Sequence, residues 1–213
     1  MSDDLLKPRF PLGGASPFRS EYEGFSISES MANSFVWLAC RLNRQADFER
    51  MAREVFGFAM PGPGGLARRS AYSTFWTGPG QWMVVAPFSC HRDLETLMKE
   101  GFGPSASVTD QTDAWLRLDL EGVACHTVLE RLVALPLHTV GEGSAHRVSV
   151  HHTGCFLGCL GMADRYFLLA PRSSARSVFH ALRQAAESVL TPLAAPRHPP
   201  VSGLSGGGAP HRG

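Results

Sequence analysis

The sequence predicts an α+β fold of two pseudo-repeated ferredoxin-like halves packed together, each a split β-α-β unit. Three observations carry that prediction. The stretches Gln81–Pro87 (QWMVVAP) and Arg165–Pro171 (RYFLLAP) repeat one another 84 positions apart. Upstream, Phe35–Cys40 corresponds to Asp113–Leu118, with Trp37 and Trp115 78 positions apart, so the second copy has gained six residues in between. The order of strand and helix patterns is also the same in both copies, and an offset that drifts by one short insertion while the order is kept marks a duplication. The expected organisation is a flexible arm over residues 1–21, one folded unit over 22–190 with halves at about 30–104 and 105–190, and a disordered tail over 191–213.

In chain order, residues 1–21 mix charge, Pro and Gly without periodicity and read as a loosely held arm. Phe35–Cys40 is a β-prone run, and from Asn43 the apolar spacing of Phe48, Met51, Ala52, Val55 and Phe56 is that of an amphipathic helix. Asn43 is the expected N-cap, Asp47 complements the positive helix end, and Gly57 stops the helix. The Pro61–Gly65 cluster reads as a loop. Ser70–Trp76 and Gln81–Ala86 read as a hairpin joined at Gly78-Pro79-Gly80, followed by a helix capped at Ser89 with Leu94, Leu97 and Met98 inward.

The second copy opens with a strand over Asp113–Leu120. A helix follows with Cys125, Val128, Leu129 and Leu132 on one face, ended at Pro136. His146–His152, Cys155–Leu160 and Arg165–Ala170 read as three strands, and a last helix from Ser174 presents Val178, Ala181, Leu182, Ala185 and Val189 inward. Beyond Leu190 the chain is dominated by Pro and Gly, with too little apolar surface to offset ordering entropy.

Bulk properties narrow the partner classes. A chain of 213 residues can bury a sizeable core. A net charge of +1, from 20 basic and 19 acidic residues, gives no electrostatic footprint for nucleic acid or an anionic membrane. No run approaches the roughly 20 apolar residues of a membrane span, and no leader pattern is evident at the start. The five cysteines, an odd count spread through apparent core segments, suit free thiols in a reducing compartment, so the expected location is cytoplasmic.

Each residue cluster that invites chemistry has a plainer reading. Cys155 and Cys159 are spaced at the edge of zinc-ligand patterns, but four residues along a strand separate their Cα atoms by roughly 13 Å, too far for a shared ion or a disulfide; core packing is the reading adopted. His151-His152 would point to opposite faces of a strand, one imidazole buried and one exposed. Asp110 and Asp113 flank a polar turn where a carboxylate caps its own backbone, ahead of any division of acid and base roles. Gly62-Pro63-Gly64-Gly65 and Gly78-Pro79-Gly80 lack the companions of a phosphate or dinucleotide loop and read as turns. Trp76, Trp82 and Tyr166 sit near loop junctions, where core filling is favoured over partner anchoring. His198 and His211 read as solvated tail residues. The chain thus offers no expected catalytic, cofactor-binding or metal residue.

A series of these segments carries a family likeness: Gly78-Pro79-Gly80-Gln81-Trp82, then Ser107–Gln111 leading to Trp115–Leu120, then His151–Cys155 and Pro171–Ser174. Together, over roughly residues 35–190, they resemble the gamma subunit of heterotetrameric sarcosine oxidase. The resemblance implies a fold similar to part of the folate-binding region of aminomethyltransferases, the glycine cleavage T-protein among them. It implies an alpha-beta-gamma-delta assembly that oxidatively demethylates sarcosine to glycine with formation of hydrogen peroxide, passing the one-carbon unit to tetrahydrofolate as 5,10-methylenetetrahydrofolate or releasing formaldehyde. In that family FAD, covalently attached FMN and NAD belong to alpha and beta, and gamma is a noncatalytic structural partner of the folate-binding region of alpha. Two other classes stay open at the level of sequence. One is a freestanding folate-dependent aminomethyltransferase-like protein, which would need a carboxylate such as Asp110 or Asp113 in a pterin-sized pocket; the other is an amino-acid-binding regulatory module.

Overall fold

The computed structural model describes residues 10–89, 93–162 and 164–191. It holds eleven strands and four helices in an α+β arrangement of two antiparallel sheets. The first sheet is ordered β4-β5-β6-β3-β7: β3 (Asn33–Cys40), β4 (Leu66–Arg69), β5 (Tyr72–Gly78), β6 (Gln81–Pro87) and β7 (Ala106–Asp110). The second is ordered β1-β2-β8-β11-β10-β9: β1 (Arg19–Tyr22), β2 (Phe25–Ser30), β8 (Trp115–Glu121), β9 (Ser144–Val150), β10 (Thr153–Cys159) and β11 (Arg165–Pro171). The helices are α1 (Gln45–Phe56), α2 (Leu94–Phe102), α3 (Cys125–Leu129) and α4 (Ala175–Val189).

Three buried clusters define four layers. Phe35, Phe75, Met83, Phe156, Phe167 and Leu169 lie between the sheets, where Phe75 meets Phe156 and Phe167 at ring separations of 5.4 and 5.7 Å. On the outer face of the first sheet, Val36, Leu38 and Val84 pack against Phe48, Ala52 and Phe56 of α1 and against Leu94, Met98 and Phe102 of α2. On the outer face of the second, Leu116, Leu118, Leu120 and Leu168 pack against α3 and α4 and against Phe18, Tyr22, Phe25 and Ile27 from the start of the chain. Alternation along each strand makes this possible, because successive side chains point to opposite faces and each sheet is covered on both. The sheets meet along one edge, where Gly65 bridges Ser144, Leu66 N–H donates to the Gly143 carbonyl at 2.8 Å and Ala145 N–H donates to the Gly64 carbonyl at 2.9 Å.

Several sequence expectations change. Part of the expected arm is built into the fold: β1 begins at Arg19, Ser20 is buried, and Phe18 stacks edge-on against Phe179 of α4 at 4.3 Å. Buried Glu29 of β2 accepts the backbone N–H groups of Leu12 and Phe18, both at 3.0 Å, and ties the segment down. Helix α1 starts two residues after Asn43, which takes a left-handed φ of 61° in the preceding turn instead of capping the helix. Helix α2 is capped by Asp93, whose carboxylate accepts the Thr96 N–H at 3.1 Å, and not by Ser89; Leu97 faces outward. Helix α3 is only five residues long, and Leu132 follows it in a turn. Residues 1–9 of the expected arm and 192–213 of the expected tail, with His198 and His211, lie outside the described residues. Among the described residues, no helix is long and apolar enough to cross a membrane.

Candidate functional site

The sheets part at the end opposite to the β5–β6 turn, leaving a cleft of about 590 Å³ between them. Its walls come from distant parts of the chain: Asn33, Arg68, Tyr72, Ser73 and Pro87 from the first sheet, Arg117 and Phe167 from the second, and Glu142 and Leu160 from flanking loops. Strand alternation puts the charged groups there. Arg68 shares the inward face of β4 with Leu66, whereas its neighbour Arg69 turns to the helix side and donates to the Gly57 carbonyl at 2.6 Å. Leu116, Leu118 and Leu120 fill the outer core, and this directs Arg117 and Asp119 inward.

The guanidinium of Arg117 lies 5.1 Å from the centroid of the Phe167 ring, a cation–π contact. Its Nε and Nη2 both donate to Asp119 Oδ1, at 2.8 and 2.7 Å. Arg68 Nη2 donates to Glu142 Oε1 at 3.2 Å and to the Leu160 carbonyl at 3.1 Å. That same carbonyl accepts Arg165 Nη2 at 3.3 Å, so two guanidiniums converge on one oxygen at the mouth. None of these residues follows a recognisable sequence spacing, and the alternation of charged and apolar positions in β8 was the one available sign.

The sequence candidates disperse over the molecule. Cys155 and Cys159 are buried on β10, facing the outer core, as the packing reading expects. Burial pushes the Cys155 thiol up to about 11, and Cys159 Sγ donates to the Gly161 carbonyl at 2.9 Å. Cys125 on α3 is also buried, and burial, with the Asp164 and Glu121 carboxylates nearby, raises its thiol to about 12. Such thiols stay protonated at neutral pH and are poor nucleophiles. Tyr166 fills the core and is no surface anchor; its hydroxyl lies 2.6 Å from His126 Nε2, a contact that no local pattern signals. Burial and the neighbouring Cys159 raise the phenol, so it keeps its proton.

His151 and His152 are not the end of a strand. They form the two-residue turn between β9 and β10, with φ of 47° and 64°, and both are exposed. Positive φ at both central positions is the geometry of a type I′ hairpin, in which the strand rule of opposite faces no longer applies. Asp110 Oδ1 accepts Thr112 N–H at 3.0 Å and Thr112 Oγ1–H at 2.7 Å, the backbone-capping role expected of it. Asp113 is 92% exposed and pairs with Arg172 at 3.2 Å, and neither carboxylate lines the cleft. Trp82 stacks on Phe48 at 5.1 Å and donates its Nε1–H to the Pro61 carbonyl at 2.8 Å, while Trp76 is half-buried on β5. Gly78-Pro79-Gly80 makes the β5–β6 turn, and Gly62–Gly65 lies in the loop before β4. Among the described residues, no group of three or more His, Cys, Asp or Glu side chains is placed to hold a metal ion.

No family model matches the sequence, and no curated protein matches it. The fold has solved relatives. A chain of the heterotetrameric sarcosine oxidase from Corynebacterium sp. U-96, in complex with pyrrole 2-carboxylate, superimposes with a TM-score of 0.70 at 18% identity, over 80% of this chain and 88% of that one. The glycine cleavage system aminomethyltransferase T from Bartonella henselae superimposes with a TM-score of 0.51 at 14% identity, over 72% of this chain and 44% of that one. The chain therefore spans less than half of the aminomethyltransferase and most of the sarcosine oxidase chain, and at these identities what the two share with it is the fold.

Proposed function

We propose that this chain is the noncatalytic gamma subunit of a heterotetrameric sarcosine oxidase. The observation that carries the reading is the match to a chain of such an enzyme over most of both chains at a TM-score of 0.70. It agrees with the sequence resemblance over residues 35–190, which was drawn from different evidence. In this reading the two sheets are the two ferredoxin-like halves of one duplicated unit, with β7 (residues 106–110) completing the first and β1 and β2 (residues 19–30) the second. The FAD, FMN, NAD and tetrahydrofolate of the assembly belong to its other subunits, and the chain works in the cytoplasm beside the folate-binding region of alpha.

The division of labour has a physical rationale. Both outer faces of the sheets are covered by helices and the inner faces by each other, so the fold spends its apolar surface on internal packing. Asp110, Asp113, Cys155 and Cys159, the sequence candidates for carboxylate and thiol chemistry, are engaged in a cap, an ion pair and core packing. A freestanding aminomethyltransferase is the second reading, favoured by the TM-score of 0.51, and it is ranked lower because less than half of that enzyme's length is covered.

Affinity capture of the tagged chain from its native host, with mass spectrometry and a visible spectrum of the eluate, tests the proposal. The expected result is co-purification of larger flavin-containing chains with sarcosine-dependent peroxide formation. A colourless eluate without stoichiometric partners would overturn it.

A further inference from the structure

The inter-sheet cleft carries more positive charge than its own carboxylates compensate. Arg68 and Arg165 donate to a single oxygen, the Leu160 carbonyl, at 3.1 and 3.3 Å, so their Nη2 atoms are no farther apart than those two distances laid end to end. Two like charges held so close repel unless an anion sits between them. Among the described residues, the one carboxylate paired with them is Glu142, which reaches Arg68 from the rim at 3.2 Å and is 54% exposed. Exposed pairs of this kind are worth little, so Glu142 is readily displaced. Asp164 approaches Arg165 around Gly161 but closes no ion pair with it among the described residues.

Deeper in the cleft, Arg117 is held differently. Asp119 takes its Nε and Nη2, Phe167 supports its face, and the side chain is only 15% exposed, which leaves Nη1 as its one nitrogen without a partner among the described residues. With Glu142 swung away, Arg68 and Arg165 at the rim and Arg117 Nη1 inside are two separate cationic positions, set against Asp119 within and Asp164 beside Arg165, and two separate cationic positions are matched by a ligand with two carboxylates. Arginine forks bind carboxylates in two parallel hydrogen bonds, and the cleft supplies no glycine-rich run of backbone N–H groups of the kind that cradles phosphate. Its volume of about 590 Å³ lies within the range of small-molecule sites.

We propose that this cleft is a binding site for a small dicarboxylate, one carboxylate taken by Arg68 and Arg165 at the mouth in place of Glu142 and the other reaching Arg117 Nη1 inside. The site is independent of the subunit reading, since every group in it belongs to this chain.

The test is isothermal titration of the full chain with glutarate, with acetate and inorganic phosphate as comparators. Saturable 1:1 binding of glutarate is expected, at least tenfold tighter than either comparator. Arg68→Gln and Arg165→Gln should each weaken it about tenfold or more, the loss expected for a hydrogen bond to a charged group. Glu142→Gln should tighten it about threefold by removing the competitor, a gain that a damaged fold could not produce. No saturable binding of glutarate, equal affinity for phosphate, or an affinity unmoved by all three substitutions would overturn the proposal.

Discussion

The two sheets fill the same structural place from opposite ends of the chain. In the first, α2 leads into β7, which pairs with β3, so the outer core draws on residues 36–108. In the second, α4 runs out at Val189 with no described strand after it, and the place beside β8 is taken by β2, brought from ahead of both copies. The outer core of that sheet consequently reaches from Phe18 to Ala186. One half thus closes with local contacts, while the other is finished only when the two ends of the folded unit meet. Closing long loops costs entropy before the contact returns anything, so the second half is the slower to form and the easier to break from outside.

Deleting residues 1–30 should break the comparison most severely. It removes Phe18, Tyr22, Phe25 and Ile27 from the second outer core, and single losses of this size cost about 2–5 kcal/mol against a total stability of about 5–15 kcal/mol. Circular dichroism and limited proteolysis should find the truncated chain unfolded or cleaved in the 115–190 region. A truncated chain with native protection there would mean that β1 and β2 are ornaments.

Alkaline titration comes next, because Cys125 and Cys155 both lie in the second outer core. Burial raises their pKa from the ordinary thiol value of 9.0 to about 12 and about 11. The folded state therefore holds these protons longer than the unfolded one. Stability should be flat with respect to these thiols below pH 9 and fall as pH rises from 9 toward 12, by about 1.4 kcal/mol per pH unit for each thiol within its window. Urea midpoints against pH check the slope, and Cys125→Ala should flatten it.

Gly158→Ala tests the boundary between the halves. A Cβ at this position of β10 would stand 2.1 Å from Cε1 of Phe167, the ring that supports Arg117 and meets Phe75 between the sheets. Overpacking of this kind costs about 1–3 kcal/mol, read as a lower urea midpoint. The smallest effect belongs to the first half. Asp93→Ala removes the cap of α2 and should lower stability by about 1 kcal/mol, leaving hydrogen exchange in the second outer core unchanged.

The same contrast explains what the sequence disclosed. β3, β5, β6, β8, β10 and β11 announce themselves through apolar runs or strict alternation, and α1, α2 and α4 through spacing at three and four residues. β1 and β2 read RSEY and FSISES, seven of ten residues polar because buried Ser20 and Glu29 add to the outward Arg19, Glu21 and three serines, and β2 pairs with β8 some ninety residues on, which no local pattern reveals. β4 reads LARR and carries no strand pattern of its own, since its two arginines serve opposite faces. At His151-His152 the turn was hidden because His stands where Asn-Gly would signal a type I′ geometry. Asp110 was legible because its role is local. The cleft was not, because it joins residues 33, 68, 117 and 142 through sheet packing alone.

In the proposed function this chain works inside a larger flavoprotein. Size-exclusion chromatography of the native host lysate, following flavin absorbance, sarcosine-dependent peroxide formation and the chain itself by antibody, tests it most directly. The account predicts one peak in which all three coincide, at a size well above that of a monomer. Elution of the chain as a free monomer or homodimer, apart from the flavin and the activity, would contradict it.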